Sequence, residues 1–335
     1  MLVQPALRLI LASAAIGGIL AAASAQAPSP PSNQSVSSSV IAEIIPPNWT
    51  NNHVAAVVNT EKILVGEVRK LLDERPYPYK LTEKQKEQLR QAALEVLIED
   101  VIMRQFLAKQ VPQVTQEDFN REWHDFVKAL EKMKTTVEEE MKKSGQTQDQ
   151  LRNDIVAKLR WKTLLKRYYP DEKLKPYYDA NKPFFDKVYV QASHILLKLP
   201  LKATKEQTDQ TRQQMLIWRQ EIITGKSKFE DIAKKYSHCP SKEKGGDIGK
   251  FPYKFVVVPE FARTAFSMKK GEISDVVQTV FGMHLIMVTD ITPPQLSYFA
   301  TLHDTIREVM AQDDELYPRL LSEQRKASTV KIELP

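Results

Sequence analysis

Two histidines and one cysteine carry most of the chemistry this sequence offers. His194 sits at the centre of an alternating run over residues 188–199, VYVQASHILLKL, and His284 sits in a second alternating run over 283–290. Alternation is the period of a β-strand, so His194 is expected on one face with Val190, Ala192 and Leu196. In a small sheet the first and last strands can be central neighbours, which would bring both imidazoles onto one face. Such a pair can fix its own tautomers and a polar frame, or serve only as a hydrogen-bonded core. The lone cysteine, Cys239, follows a short amphipathic pattern carrying Phe229, Ile232, Ala233 and Tyr236. A Cys–His hydrolase would need a base at the thiol and an oxyanion hole, and the sequence supplies neither. His53, His124, His238 and His303 lack metal-ligand spacing, so no metal and no cofactor is expected.

The elements that position these residues form an α+β unit over 188–290. After the first strand comes a helix over 205–224, then a second helix that Ser227 is expected to cap through Glu230. A glycine-rich turn, Gly245-Gly246-Asp247-Ile248-Gly249, precedes a short helix opened by Pro259. Strands over 275–280 and 283–290 close a β-α-α-β-α-β-β order, a small antiparallel-type sheet flanked by helices.

Residues 53–182 read as a helical domain entered by a strand over 53–59. Thr82 with Gln85 opens a helix bearing Leu89, Ala93, Val96, Leu97 and Val101, with Ile98, Ile102 and Phe106 as a second stripe. Thr115, Thr136 and Thr147 open further helices, and residues 174–181 form another. The stripe Phe119, Trp123, Phe126, Val127 and Leu130 reads as core, with a cleft for client peptides as the sharper reading. Beyond Pro293-Pro294, one helix over 298–326 and a strand over 329–334 are too little to be stable alone. Residues 294–335 are therefore expected to complete the N-terminal domain, the strand pairing near 54–58.

Lysines and arginines number 48 against 42 acids and are interleaved with them, which argues against a nucleic-acid surface. Residues 1–25 read as a signal peptide: one charge, Arg8, then a short apolar run ending in Ala23-Ser24-Ala25. Residues 26–52, rich in Pro, Ser and Asn, read as a disordered linker. The mature chain is expected to be exported to a periplasm or other extracytoplasmic envelope, with no stable membrane span. A single cysteine rules out an internal disulfide.

Seven segments in the second half resemble the parvulin-type peptidyl-prolyl cis/trans isomerases. They are Ala192-Ser193-His194-Ile195-Leu196, residues 233–241, residues 245–251, Val258-Pro259-Glu260-Phe261, Ala265-Phe266, Lys270-Gly271-Glu272-Ile273 and residues 281–286. The resemblance implies that His194 and His284 are the paired active-site histidines and Cys239 the active-site cysteine. It implies that Phe261 is the aromatic floor of a proline pocket, with Val257 and Phe281 as further pocket residues. The family's Arg-Gly-Gln-Met is replaced here by residues 252–257, one residue longer, so Val257 stands for the methionine and Val256 for the glutamine. Lys198, Lys202 and Lys205 make no arginine cluster, so phosphate selectivity is not expected.

The first half is similar, in architecture, to exported SurA/PrsA-type foldases. This resemblance implies a chaperone-like helical domain and, as partners, unfolded or partly folded exported polypeptides with X-Pro bonds. The function it implies is an isomerase acting as an extracytoplasmic folding factor. The altered 252–257 stretch keeps open a non-catalytic holdase whose parvulin unit only binds peptide.

Overall fold

A computed structural model describes residues 44–73, 81–144, 146–200 and 202–334. The expected signal over 1–25 and the linker up to residue 43 lie outside these residues. In chain order the elements begin with β1 (Val54–Val58), β2 (Glu61–Leu64), α1 (Val65–Asp73), α2 (Glu83–Gln110) and α3 (Gln116–Lys132). Next come α4 (Val137–Ser144), α5 (Gln148–Tyr168), α6 (Asp171–Ala180), α7 (Lys182–Phe185), β3 (Tyr189–Leu197), α8 (Lys205–Ile223) and α9 (Phe229–Tyr236). The chain continues through β4 (Asp247–Pro252), α10 (Pro259–Ser267), β5 (Val277–Thr279) and β6 (Gly282–Ile291). It closes with α11 (His303–Asp313), α12 (Leu316–Ala327) and β7 (Val330–Ile332). These elements divide into two units, one running to Pro170 and resuming at Arg307, the other Asp171–Ile306.

In the first unit β1 is the central strand of an antiparallel sheet, ordered β2-β1-β7. Val57 lies opposite Lys62 on one side and Lys331 on the other. Asn59 makes the β1–β2 turn at φ 56, a conformation Asn tolerates, and its side chain accepts from the Thr329 N–H at 3.0 Å. Thr82 and Thr147 form capping boxes with Gln85 and Gln150, so α2 and α5 start where the sequence signals them. The core joins Ala55, Val58, Leu89, Ile98 and Ile102 to Leu334 at the far end of the chain.

Two expectations for this region are corrected, and one helix joins those expected. The linker does not extend to residue 52. Ile44 and Ile45 are fully buried in the core, and Arg90 donates to the Ile44 carbonyl at 2.7 Å. Two buried isoleucines contribute roughly 3–6 kcal/mol, enough to dock a short segment. Helix α1, absent from the sequence reading, buries Val65, Val68 and Leu72. The helix expected over 298–326 is broken, with Glu315 at φ 48 between α11 and α12. Pro318 explains the break, since in a continuous helix its ring would strike the carbonyl of Asp314.

The second unit holds a four-stranded antiparallel sheet ordered β4-β3-β6-β5. Val190, Ala192, Ile286 and Val288 pack with Phe251, Phe261 and Ala265 in one core cluster. Ile195, Met283 and Leu285 pack with Met215, Trp218, Phe229 and Ile232 in another. The sheet therefore carries α10 on one face and α8 with α9 on the other. Helix α6, expected in the helical domain up to residue 182, belongs to this unit, as does α7. Asp186 and Tyr178 tie the two helices to the segment that follows β6. The Asp186 carboxylate accepts from the Ser297 N–H at 3.0 Å and from Lys182 at 2.9 Å, fastening α7 to residues 295–299. Tyr178 reinforces the tie, its hydroxyl 2.9 Å from Ser297 Oγ. Ser227 does not cap α9. Its hydroxyl bonds Glu221 at 3.1 Å, and Lys228 occupies the cap position without a side-chain bond.

Candidate active site

The two histidines meet because β3 and β6 are neighbours in a fixed register. Leu196 lies opposite His284 and His194 opposite Ile286, so the imidazoles are diagonal on one face. Their Nδ1 atoms are 3.2 Å apart, and the rings lie within 18° of parallel. Both rings are buried. Burial pushes the His194 pKa down to about 4. Burial, with His194 beside it, does the same to His284. The pair is therefore neutral near pH 7.

Phe261, from α10, lies beneath both imidazoles. Its ring meets His194 and His284 edge-to-face, with both centroid distances 5.6 Å. Pro259, as the second residue before it, sits in the first turn of α10 and fixes where the helix begins. Val257 packs against the cluster containing Phe261. Phe281 lies in the β5–β6 turn and is exposed.

Cys239 is half-buried, its thiol makes no hydrogen bond to either imidazole, and its N–H donates to Ser237 Oγ at 3.3 Å. The segment is tied to the end of β3, where Leu196 N–H donates to Ser237 Oγ and His238 N–H to the Leu196 carbonyl. The structure thus brings together His194, His284 and Phe261, with Val257 against the same cluster, and leaves Cys239 and Phe281 outside the imidazole contacts.

Thr279 was missed in the sequence. Its hydroxyl lies 2.8 Å from His284 Nε2, and its oxygen accepts the Phe281 N–H at 3.1 Å. The signal was present in the tight turn. Thr279 opposite Gly282 places residues 277, 279 and 284 on one face. Two buried serines were also missed, Ser237 and Ser274, the latter accepting from the Ile286 N–H at 2.9 Å. Among the described residues no cluster of His, Cys, Asp and Glu could hold a metal ion.

The stretch 252–257 has an unusual backbone. Phe255 adopts φ 70, the left-handed region that bulky residues avoid, at a cost of roughly 1–3 kcal/mol. Neighbouring anchors hold it. Tyr253 packs edge-on against Phe266 at 5.1 Å, Lys254 donates to Asn181 Oδ1 at 3.0 Å, and Phe255 meets Phe184 edge-on at 5.7 Å.

The family model described as Rotamase, PPIC-type PPIASE domain, matches residues 194–290. Foldase protein PrsA 1 of Bacillus cereus is 31% identical over 193 residues, which are 56% of this chain and 59% of that protein. The chain therefore spans little more than half the length of that relative. Peptidyl-prolyl cis-trans isomerase Pin1 of Malus domestica is 36% identical over 30% of this chain and 93% of its own. A probable parvulin-type peptidyl-prolyl cis-trans isomerase of Bordetella bronchiseptica is 31% identical over 64% of this chain and 78% of its own. With two such relatives matched over most of their length, and a paired-histidine sheet at the matching residues, this chain belongs to the parvulin-type peptidyl-prolyl cis/trans isomerases.

Proposed function

We propose that the second unit accelerates cis/trans exchange at X-Pro bonds without covalent chemistry. The observation that carries this reading is the neutral His194–His284 pair set roughly perpendicular to the Phe261 ring. Rotation about a peptide bond is opposed by roughly 18–20 kcal/mol of C–N resonance. Before proline the two isomers are close in energy, yet exchange takes tens of seconds or more. The twisted transition state has lost its resonance and its charge separation, so a dry apolar pocket favours it over the planar amide. Phe261, Val257 and Phe281 would grip the ring. His194 and His284 would hold the polar frame around the amide, and Cys239 would line the site without attacking it.

The first unit is read as a holder of unfolded chains. Phe119, Trp123 and Phe126 form a row of rings 6.1 and 6.0 Å apart on α3, and Trp123 and Phe126 are only half-buried. Such a row suits apolar segments of a client. Together the units make a folding helper for exported polypeptides. The extracytoplasmic location rests on the signal-like pattern over 1–25. Among the described residues no helix is long and apolar enough to cross a membrane.

A protease-coupled assay on an Ala-Pro-Phe peptide tests the enzyme reading. Acceleration proportional to protein concentration is expected. Absence of acceleration by folded protein would leave the non-catalytic holdase, whose sign is suppressed aggregation of a denatured client.

A further inference from the structure

Residues 253–256 spend three anchors to hold an apolar ring where it is hard to hold. Phe255 is strained at φ 70 yet 45% exposed, and Val256 beside it is 63% exposed. A turn with no further purpose would favour Gly or Asn at that φ and a polar tip. A bulky residue kept in the left-handed region by surrounding contacts points to a functional constraint. The anchors of Lys254 and Phe255 come from one place, the α6–α7 corner, while Tyr253 rests on Phe266 of α10. Asn181 accepts from Lys254, Tyr177 lies under the Lys254 ammonium at 5.4 Å, and Phe184 braces the Phe255 ring at 88°. The next residue in the chain, Val257, already packs with the Phe261 cluster. The exposed pair is thus continuous with the wall of the site. A second exposed apolar pair, Val280 and Phe281, 87% and 59% exposed, lies in the β5–β6 turn, where the Phe281 N–H bonds Thr279, the partner of His284.

We propose that Phe255 and Val256 form a specificity subsite that takes a large apolar side chain flanking the client's proline, with Asn181 and Phe184 as its positioning residues. The inference rests on the proline-pocket reading above. It gives the altered 252–257 stretch a role: the family's polar contact is exchanged for an apolar one, which suits segments that are buried once a client has folded. Lining the subsite with two apolar side chains is worth about tenfold in affinity for Phe or Leu over Ala.

The test uses the full chain and two series of proline tetrapeptides, with Phe, Leu, Ala or Glu either before or after the proline. Dissociation constants are measured by NMR titration and exchange rates by magnetisation transfer. In at least one series Phe and Leu are expected to bind about tenfold tighter than Ala, with Glu weakest. Phe255→Gly suits the left-handed backbone and removes only the ring. It and Val256→Ser are expected to cut the Phe-to-Ala ratio to under about twofold. Phe184→Ala should lower the ratio with unchanged thermal unfolding, and Phe184→Tyr should restore it. Ratios unchanged in Phe255→Gly and Val256→Ser, or no preference in either series for the native chain, overturn the subsite. If peptides bind but none exchanges faster, the isomerase reading fails and the binding ratios alone decide the subsite. If none binds, both fail.

Discussion

His194 Nδ1 and His284 Nδ1 face each other at 3.2 Å, so only one proton fits between them. One ring must donate from Nδ1 and the other must accept there. If His284 donates, Thr279 donates to His284 Nε2 and His194 carries its proton on Nε2. If His194 donates, His284 carries its proton on Nε2 and gives it to Thr279. Either direction leaves one ring of each tautomer, and His194 Nε2 has no protein partner in either.

This pair makes the second unit sensitive to acid. Both rings have pKa values lowered to about 4 against an ordinary 6.5, with burial as the first cause. Between those values the unfolded chain binds protons that the folded chain does not. Stability is therefore full above about pH 6.5, declines as pH falls, and levels off below about pH 4. Each ring contributes up to about 3 kcal/mol to that loss. Histidine ring resonances followed by NMR should show one ring of each tautomer and no protonation of either down to about pH 5. A midpoint near 6.5 for either ring would contradict the burial argument.

Thr279 holds the outer end of the relay. Thr279→Val keeps the shape and removes the hydroxyl, leaving His284 Nε2 and the Phe281 N–H without it. A loss of roughly 1–3 kcal/mol in urea unfolding is expected, with a fall in isomerase rate as the ring loses its fixed tautomer. Thr279→Ser should recover most of both. A variant with native rate and native stability would remove Thr279 from the site.

Much of this was legible in advance, for identifiable reasons. His194 and His284 sit in alternating runs, and alternation plus neighbouring strands was enough to put them on one face. The α2 and α5 starts were legible because a threonine three residues before a glutamine has few other uses there. Thr279 was hidden because its contact depends on the register of a tight turn, which spacing alone does not state. The end of the helical domain was misplaced because α6 looks like any short helix in sequence. What ties it to the second unit is the Tyr178–Ser297 contact, over a separation of 119 residues. Pro318 marks the α11–α12 break in the sequence itself, because its ring excludes a continuous helix through Asp314. Ile44 and Ile45 were hidden by the polar composition before them.

Cys239 offers a clean test of non-covalent chemistry. Its thiol bonds neither imidazole, so no base is placed to activate it. Cys239→Ser should retain isomerase activity to within about threefold, because polarity and size are nearly conserved. Loss of activity by orders of magnitude in a folded variant would point to a covalent step.

Gly246 shows how tightly the glycine-rich turn is fitted to the site. It lies at φ 89, its carbonyl accepts the His194 N–H at 2.9 Å, and an added Cβ would fall 2.5 Å from the His194 carbonyl oxygen. Gly246→Ala should cost roughly 2–4 kcal/mol, since neither backbone nor neighbour can yield. Gly249 has a similar positive φ, 73, with nothing within 4 Å of the added atom. Gly249→Ala should therefore cost only the conformational part, roughly 1–2 kcal/mol. Equal losses in chemical denaturation would show that the approach to His194 is not what constrains the turn.

Phe261 separates the two uses a ring can have at this place. It is buried among Phe251, Ala265 and Ile286, and it also packs roughly perpendicular to both histidine rings. Phe261→Ala removes both uses and should destabilise the unit by roughly 3–5 kcal/mol. Phe261→Leu keeps most of the buried volume, at under about 1.5 kcal/mol, and loses the flat surface on which a proline ring would rest. If the ring matters only as core, Phe261→Leu should bind proline peptides as the native chain does. If it is the floor of the pocket, the same variant should stay folded, keep its histidines neutral near pH 7, and bind proline peptides at least about tenfold more weakly. Measuring unfolding, histidine titration and peptide affinity on that one variant distinguishes the two, because packing alone cannot change the third while sparing the first two.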